Sequence, residues 1–203
     1  NWSKPFVQLE TTRGCFNTCA FCVSGGEKPV RTISLEAIRE RLNVIHQHGI
    51  KNVRVLDRTF NYNNKRAKEL LHLFREYAPD ICFHLEIHPA LLSEELKEEL
   101  AVLPSGLLHL EAGIQSLREP VLEKSRRIGK LSDALQGLKY LCSLKNMETH
   151  ADLIAGLPLY QKSGRVRNPI LPSASIRSPE NQRDFCRRTT NSPLPLPPFR
   201  RIL

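Results

Sequence analysis

The chain has 203 residues, 40% of them hydrophobic and 25% charged, with a formal net charge of +9. That length can bury a real core as one large domain or two small ones, and no run of eighteen apolar residues offers a membrane-spanning helix. Six irregularly spaced cysteines are too few for a disulfide scaffold, and no signal peptide is visible. The sequence begins with Asn1 and reads as an internal piece of a longer protein.

The elements alternate. Residues 6–12 are β-prone, and Arg13-Gly14 break that strand. Cys15, Cys19 and Cys22 follow on a loop. Ser34 is a helix N-cap, with Leu35, Ile38, Leu42 and Ile45 on one face and Gly49 as the stop. A second strand, 53–56, closes on Asp57-Arg58-Thr59-Phe60-Asn61. The next helix points Ala67, Leu70, Leu71, Phe74 and Ala78 inward and stops at Pro79. The third strand, 81–87, precedes a helix opened by Ser93, with Leu96 and Leu100 on its core face. The fourth strand, 107–114, leads to a helical region carrying Leu131, Ala134, Leu135, Leu138 and Leu141, and the fifth spans 148–154. Strands alternating with helices of this length predict βαβ units and a parallel sheet.

Texture changes after Tyr160. Residues 161–203 hold seven of the fourteen prolines and nine Lys and Arg against Glu180 and Asp184, whereas the preceding 160 residues balance 21 basic against 19 acidic side chains. We therefore expect a folded unit at 1–160 and a basic Pro/Arg/Ser-rich tail at 161–203 that is disordered or extended, or that marks a lost reading frame. With the charge confined to the tail, nucleic acid is not an expected partner of the folded unit.

The cysteines carry the chemistry. In CxxxCxxC three thiolates lie close together, and no His or fourth Cys completes a zinc set within twenty residues. Three thiolates on a tight loop suit a cubane iron–sulfur cluster with one iron left open for a ligand. The bland alternative is three unrelated core thiols. Thiolate ligands call for a reducing compartment, the cytoplasm.

With Phe21 directly before the third cysteine, this triplet after a first strand resembles the radical S-adenosylmethionine (SAM) superfamily. The resemblance implies a partial (βα) barrel of six units, of which five are visible here, the sixth strand being expected beyond Pro158. It implies a [4Fe-4S] cluster on Cys15, Cys19 and Cys22, with Phe21 beside it. Gly113-Ile114-Gln115-Ser116 is similar to the fourth-strand motif that meets the ribose and carboxylate of SAM, through Gln115 and Ser116. Arg127 is similar to a basic residue that holds the carboxylate; otherwise it is a solvated arginine in a charge run. Asp152 and Leu157 match the fifth-strand region lining the adenine, Asp152 being alternatively a helix cap. Gly25-Gly26-Glu27 spells a signature that binds the methionine amine, but it lies before the first helix, so Thr59 and Asn61 are the expected amine contacts.

The 57–61 string also resembles radical enzymes that carry a cobalamin-binding domain upstream, which would lie before Asn1. The implied reaction is reductive cleavage of SAM to a 5′-deoxyadenosyl radical that abstracts a substrate hydrogen, with a flavodoxin- or ferredoxin-like reductant and an unread substrate. Cobalamin-dependent methylation and methylthiotransferase-like RNA modification are subclasses it admits. An inactive piece that only binds a cluster is the competing reading, and an electron-transfer module is disfavoured by the missing fourth thiolate. His84, Glu86 and His88 share one strand face, where they either handle protons or satisfy one another. Cys82 and Cys142 read as core thiols.

Overall fold

In the computed structural model, the described residues are 5–154 together with Gly156, Leu157 and Leu159. The elements run β1 (Val7–Leu9), β2 (Thr12–Arg13), β3 (Arg31–Thr32), α1 (Leu35–Gln47), β4 (Asn52–Val55), α2 (Asn64–Arg75) and β5 (Cys82–Ile87). They continue with α3 (Glu94–Ala101), β6 (Leu108–Gln115), α4 (Glu119–Lys124), α5 (Leu131–Ser143) and β7 (Glu148–Leu153). Five strands form one sheet in the order β1-β4-β5-β6-β7, and every neighbouring pair is parallel. β2 and β3 form a separate antiparallel pair. The expected α/β sheet of five units is present, while the sixth strand and the tail lie outside the described residues. Among those residues β7 is an edge.

Strand order advances in one direction, and parallel crossovers share one hand, so the helices collect on one face. That face is apolar: Val53, Val55, Phe83, Leu85, Ile87, Leu108, Leu110, Ala112 and Ile114 are buried against Ile38, Leu42, Leu70, Phe74, Leu96 and Leu141. Phe74 stacks on Phe83 at 4.1 Å between ring centroids. The opposite, inner face is polar. Arg54, His84, His109 and Glu148 align across four strands in one row, and Glu86, Glu111 and His150 in the next.

Ser34, Asn63 and Ser93 cap α1, α2 and α3, each accepting a backbone N–H of the first turn. Two local expectations change. The strand expected at 6–12 ends at Leu9, because the N–H groups of Thr11 and Thr12 turn to the Asp57 carboxylate instead of continuing the ladder. The helical region after β6 is two helices, with α4 a short one stabilised by the Glu119 carboxylate accepting the Leu131 N–H at 3.0 Å.

Candidate cofactor site at the strand ends

The cysteine loop is tied down by its own backbone. The Cys15 N–H donates to the Glu27 carbonyl at 2.8 Å, the Gly26 N–H to Asn17 at 2.9 Å, and the Cys22 N–H to Cys19 at 3.2 Å. Gly14, at φ +99°, lets this closure happen: a Cβ there would stand 2.5 Å from the Glu27 carbonyl oxygen. Gly25-Gly26-Glu27 is thus part of the loop and not of the β4 turn. Cys15 and Cys19 are buried and Cys22 is exposed.

Two anchors aim the loop across the C-terminal ends of the parallel strands. Asp57, buried at the end of β4, accepts the Thr11 N–H at 2.8 Å, the Thr12 N–H at 2.9 Å and the Thr11 hydroxyl. From the other side, the Ala20 N–H donates to the carbonyl of Ser125, the C-cap of α4, at 2.9 Å. Sequence reasoning missed both residues. An aspartate directly after a strand, able to take neighbouring backbone N–H groups, was the one available signal.

Arg127 crosses the gap. Its Nη2 donates to the Gly113 carbonyl at 2.6 Å, while its Nη1 lies 3.9 Å from the Cys19 sulfur. Burial pushes the Cys19 thiol up, and the Arg127 charge pulls against that. The absent side chain of Gly113 leaves this space free: a Cβ would sit 2.4 Å from Gln115 Nε2 and 3.3 Å from Arg127 Nη2, and both side chains would have to shift. The strand bulges at Gly113/Gln115, and Gln115 takes φ +68°. The bulge folds the Gln115 amide back over the strand end beside Arg127.

The other expected contacts divide. Thr59 lines a small cavity with Thr12, Gly14, Cys15 and Phe16, and its hydroxyl donates to the Arg58 carbonyl at 2.7 Å. Asn61 is buried, and its amide holds both the N–H of His88 at 2.8 Å and the carbonyl of His88 at 2.9 Å. That side chain splices the β4 turn to the end of β5. Ser116 is likewise buried, its hydroxyl accepting the Arg118 N–H at the entry to α4. Asp152 is exposed opposite Gly113, its carboxyl pushed up by partial burial and by Glu111. Leu157 is buried and Phe21 half-buried. Of the His84-Glu86-His88 set, only the first two lie open on the inner face. His88 is buried, and desolvation pushes its imidazole down to about 4.

A family model described as the Radical SAM superfamily matches residues 9–162. The chain belongs to the radical SAM superfamily. Similar proteins include an uncharacterized methyltransferase of Pyrococcus horikoshii, 30% identical over 159 residues, covering 76% of this chain and 34% of the relative. The ribosomal protein uS12 methylthiotransferase of Moorella thermoacetica is 28% identical over 167 residues, covering 76% and 38%. Among solved structures, the radical SAM methyltransferase TsrM of Kitasatospora setae has a TM-score of 0.62 at 20% identity, covering 75% of this chain and 31% of that one. That last likeness is one of fold. The chain spans about a third of the length of these relatives.

Radical SAM proteins use a [4Fe-4S] cluster and SAM, and the donor set here fits. Among the described residues, the His, Cys, Asp and Glu groups close enough to share one ion are His109, Glu148 and His150, not the three cysteines. Three soft thiolates on one loop, with no imidazole or carboxylate among them, suit an iron–sulfur cluster. Three thiolates would leave one iron of such a cluster without a protein ligand, and Arg127 Nη1 stands 3.9 Å from the Cys19 sulfur.

Proposed function

We propose that this chain is the core of a radical SAM enzyme in which Cys15, Cys19 and Cys22 hold the cluster and Arg127, Gln115 and the Thr59 turn orient SAM. When bound, the cluster supplies one electron to the sulfonium of SAM, releasing methionine and a 5′-deoxyadenosyl radical that takes a hydrogen atom from substrate. The side chains do the rest. Cys19 would hold the cluster as a thiolate, and the adjacent Arg127 would offset that charge in a buried setting. Its guanidinium, fixed at one end by the Gly113 carbonyl, offers further N–H groups to a carboxylate. The buried Asp57 carboxylate and Asn61 amide lock the ends of β4 and β5 beside the cysteine loop, so less ordering is left for the moment of reaction.

The single observation carrying this reading is the convergence of the cysteine loop, Arg127 and the Gly113/Gln115 bulge over one end of a parallel sheet. The whole protein's reaction is, in our reading, transfer of a methyl or methylthio group. The supporting observation is that the relatives are named as a methyltransferase and a ribosomal-protein methylthiotransferase; the second name points to a protein substrate, which weakens the RNA-modification reading. An upstream cobalamin domain is supported by the fold likeness to TsrM, whose solved structure has cobalamin bound. We further place the enzyme in the cytoplasm, served by a flavodoxin- or ferredoxin-like reductant; no helix among the described residues is long and apolar enough to cross a membrane.

The competing reading is an inactive piece that binds a cluster, favoured by the unpaired β7 edge among the described residues. Anaerobic reconstitution followed by a SAM cleavage assay with dithionite decides between them. We expect 5′-deoxyadenosine; a loaded cluster with intact SAM would establish the inactive piece.

A further inference from the structure

At the opposite pole from the cysteines, the N-terminal ends of β5, β6 and β7 hold a second collection of metal-ligating groups. His84, His109 and His150 stack in series, each neighbouring pair 4.5 Å between ring centroids. Glu148 Oε2 lies 3.5 Å from His109 Nδ1, and one ligand atom from each of His109, Glu148 and His150 falls within 4.8 Å of the others. Ligands around a tetrahedral zinc are about 3.3 Å apart, given metal–ligand bonds of about 2.0–2.1 Å, so the three need to close by only an ångström or so. His109 and Glu148 line an open cleft of about 480 Å³, together with Asn52, Cys82, His84 and Met147. An ion would therefore have both a way in and space for a water in its fourth position.

We propose that His109, Glu148 and His150 form a second metal site, for a borderline divalent ion such as Zn²⁺ or Co²⁺, separate from the cysteine loop. Two imidazoles and one carboxylate select such ions over Mg²⁺ or Ca²⁺, which want oxygen donors throughout. The near-parallel rings of His109 and His150, 6° apart, splay on binding so that both lone pairs converge. His84, stacked on the far side of His109, remains outside the shell. Because the ligands come from β6 and β7, the ion would staple the strand that is the sheet's edge among the described residues to its neighbour.

The test uses the full chain with Cys15, Cys19 and Cys22 all replaced by serine, so that the loop thiols cannot compete, and Co²⁺ alone as the probe. Visible d–d absorption should saturate at one equivalent with no near-ultraviolet thiolate-to-cobalt band, and the thermal midpoint should rise with cobalt. His150→Gln and Glu148→Gln should each weaken binding by at least about tenfold. Glu148 is half-exposed, so its variant folds even if the histidine variant does not. Failure to saturate, a thiolate band, or unchanged affinity in Glu148→Gln would each overturn the site. None of these outcomes depends on the cluster assignment.

Discussion

The two ends of the sheet are built on opposite plans. At the C-terminal ends nearly every polar side chain grips backbone: Asp57 holds two N–H groups of the turn after β1, Asn61 holds both backbone groups of His88, and Arg127 holds the Gly113 carbonyl. At the N-terminal ends Asn146 also grips backbone, but the histidines and Glu148 of the inner face meet each other, as stacked rings and a loose His109–Glu148 pair. The first plan freezes loop geometry. The second leaves side chains free to rearrange about a ligand. An orienting site for a large cofactor needs the former, and a small-ion site tolerates the latter.

The largest effect is expected at the thiols. Replacing Cys15, Cys19 or Cys22 singly by alanine should remove the cluster entirely, taking iron from about four per chain to none after anaerobic reconstitution. Cys82→Ala and Cys142→Ala should leave the iron count unchanged. Stoichiometric zinc without iron in protein purified anaerobically would refute the cluster.

A pH titration of the metal-free protein probes both poles together. Desolvation pushes His88 and His109 each down to about 4, from an ordinary value near 6.5. For His109, His84 and His150 reinforce the shift and Glu148 opposes it; for His88, Arg127 reinforces it. In the folded chain these rings resist a proton that the unfolded chain accepts. Above about pH 6.5 they therefore contribute no pH dependence, and stability falls as pH drops from there towards 4, by at most roughly 3 kcal/mol for each ring. Glu86 and Asp152, whose carboxyls are raised, act in the opposite direction but are exposed and screened. Urea denaturation at pH 7.5 and 5 checks the slope, and His109→Gln should flatten it.

Smaller in size but more local, Asp57→Asn should cost about 2 kcal/mol, because the two N–H bonds to one oxygen lose their charge assistance and the Thr11 hydroxyl must turn round to accept from the new NH₂. At the other pole Glu148→Gln should stay within about 0.5 kcal/mol of the parent without metal. Equal effects at the two poles would erase the distinction drawn between them.

How much of this was legible beforehand follows the same division. Strands and helices were readable because the apolar periods of Ile38, Leu42 and Ile45, or of Leu70, Leu71 and Phe74, report burial directly, and Ser34 and Ser93 cap where local chemistry says they should. Membership of the superfamily was readable because the thiol spacing that carries the resemblance is local in sequence. The Asp57 and Asn61 clamps were not, since their partners lie 46 and 27 residues away and nothing in a short polar side chain names a distant backbone. The row from Arg54 to Glu148 was hidden for a related reason. Single ionisable side chains on four different strands become a row only once parallel register is fixed.

Arg127→Lys makes the finest cut. Lysine keeps the charge beside Cys19 but loses the planar fork, so it cannot hold the Gly113 carbonyl and present two parallel N–H groups to a carboxylate at once. Cluster content should survive, because the Ala20–Ser125 bond and the closure at Gly14 do not involve Arg127. SAM affinity should fall by about tenfold, roughly what one well-placed charge-assisted bond contributes. Equilibrium binding of SAM to the reconstituted, unreduced protein reads this without requiring turnover. If affinity is unchanged while iron is lost, Arg127 serves the cluster loop and not the cofactor, and the carboxylate must be met by another group at the Gly113/Gln115 bulge.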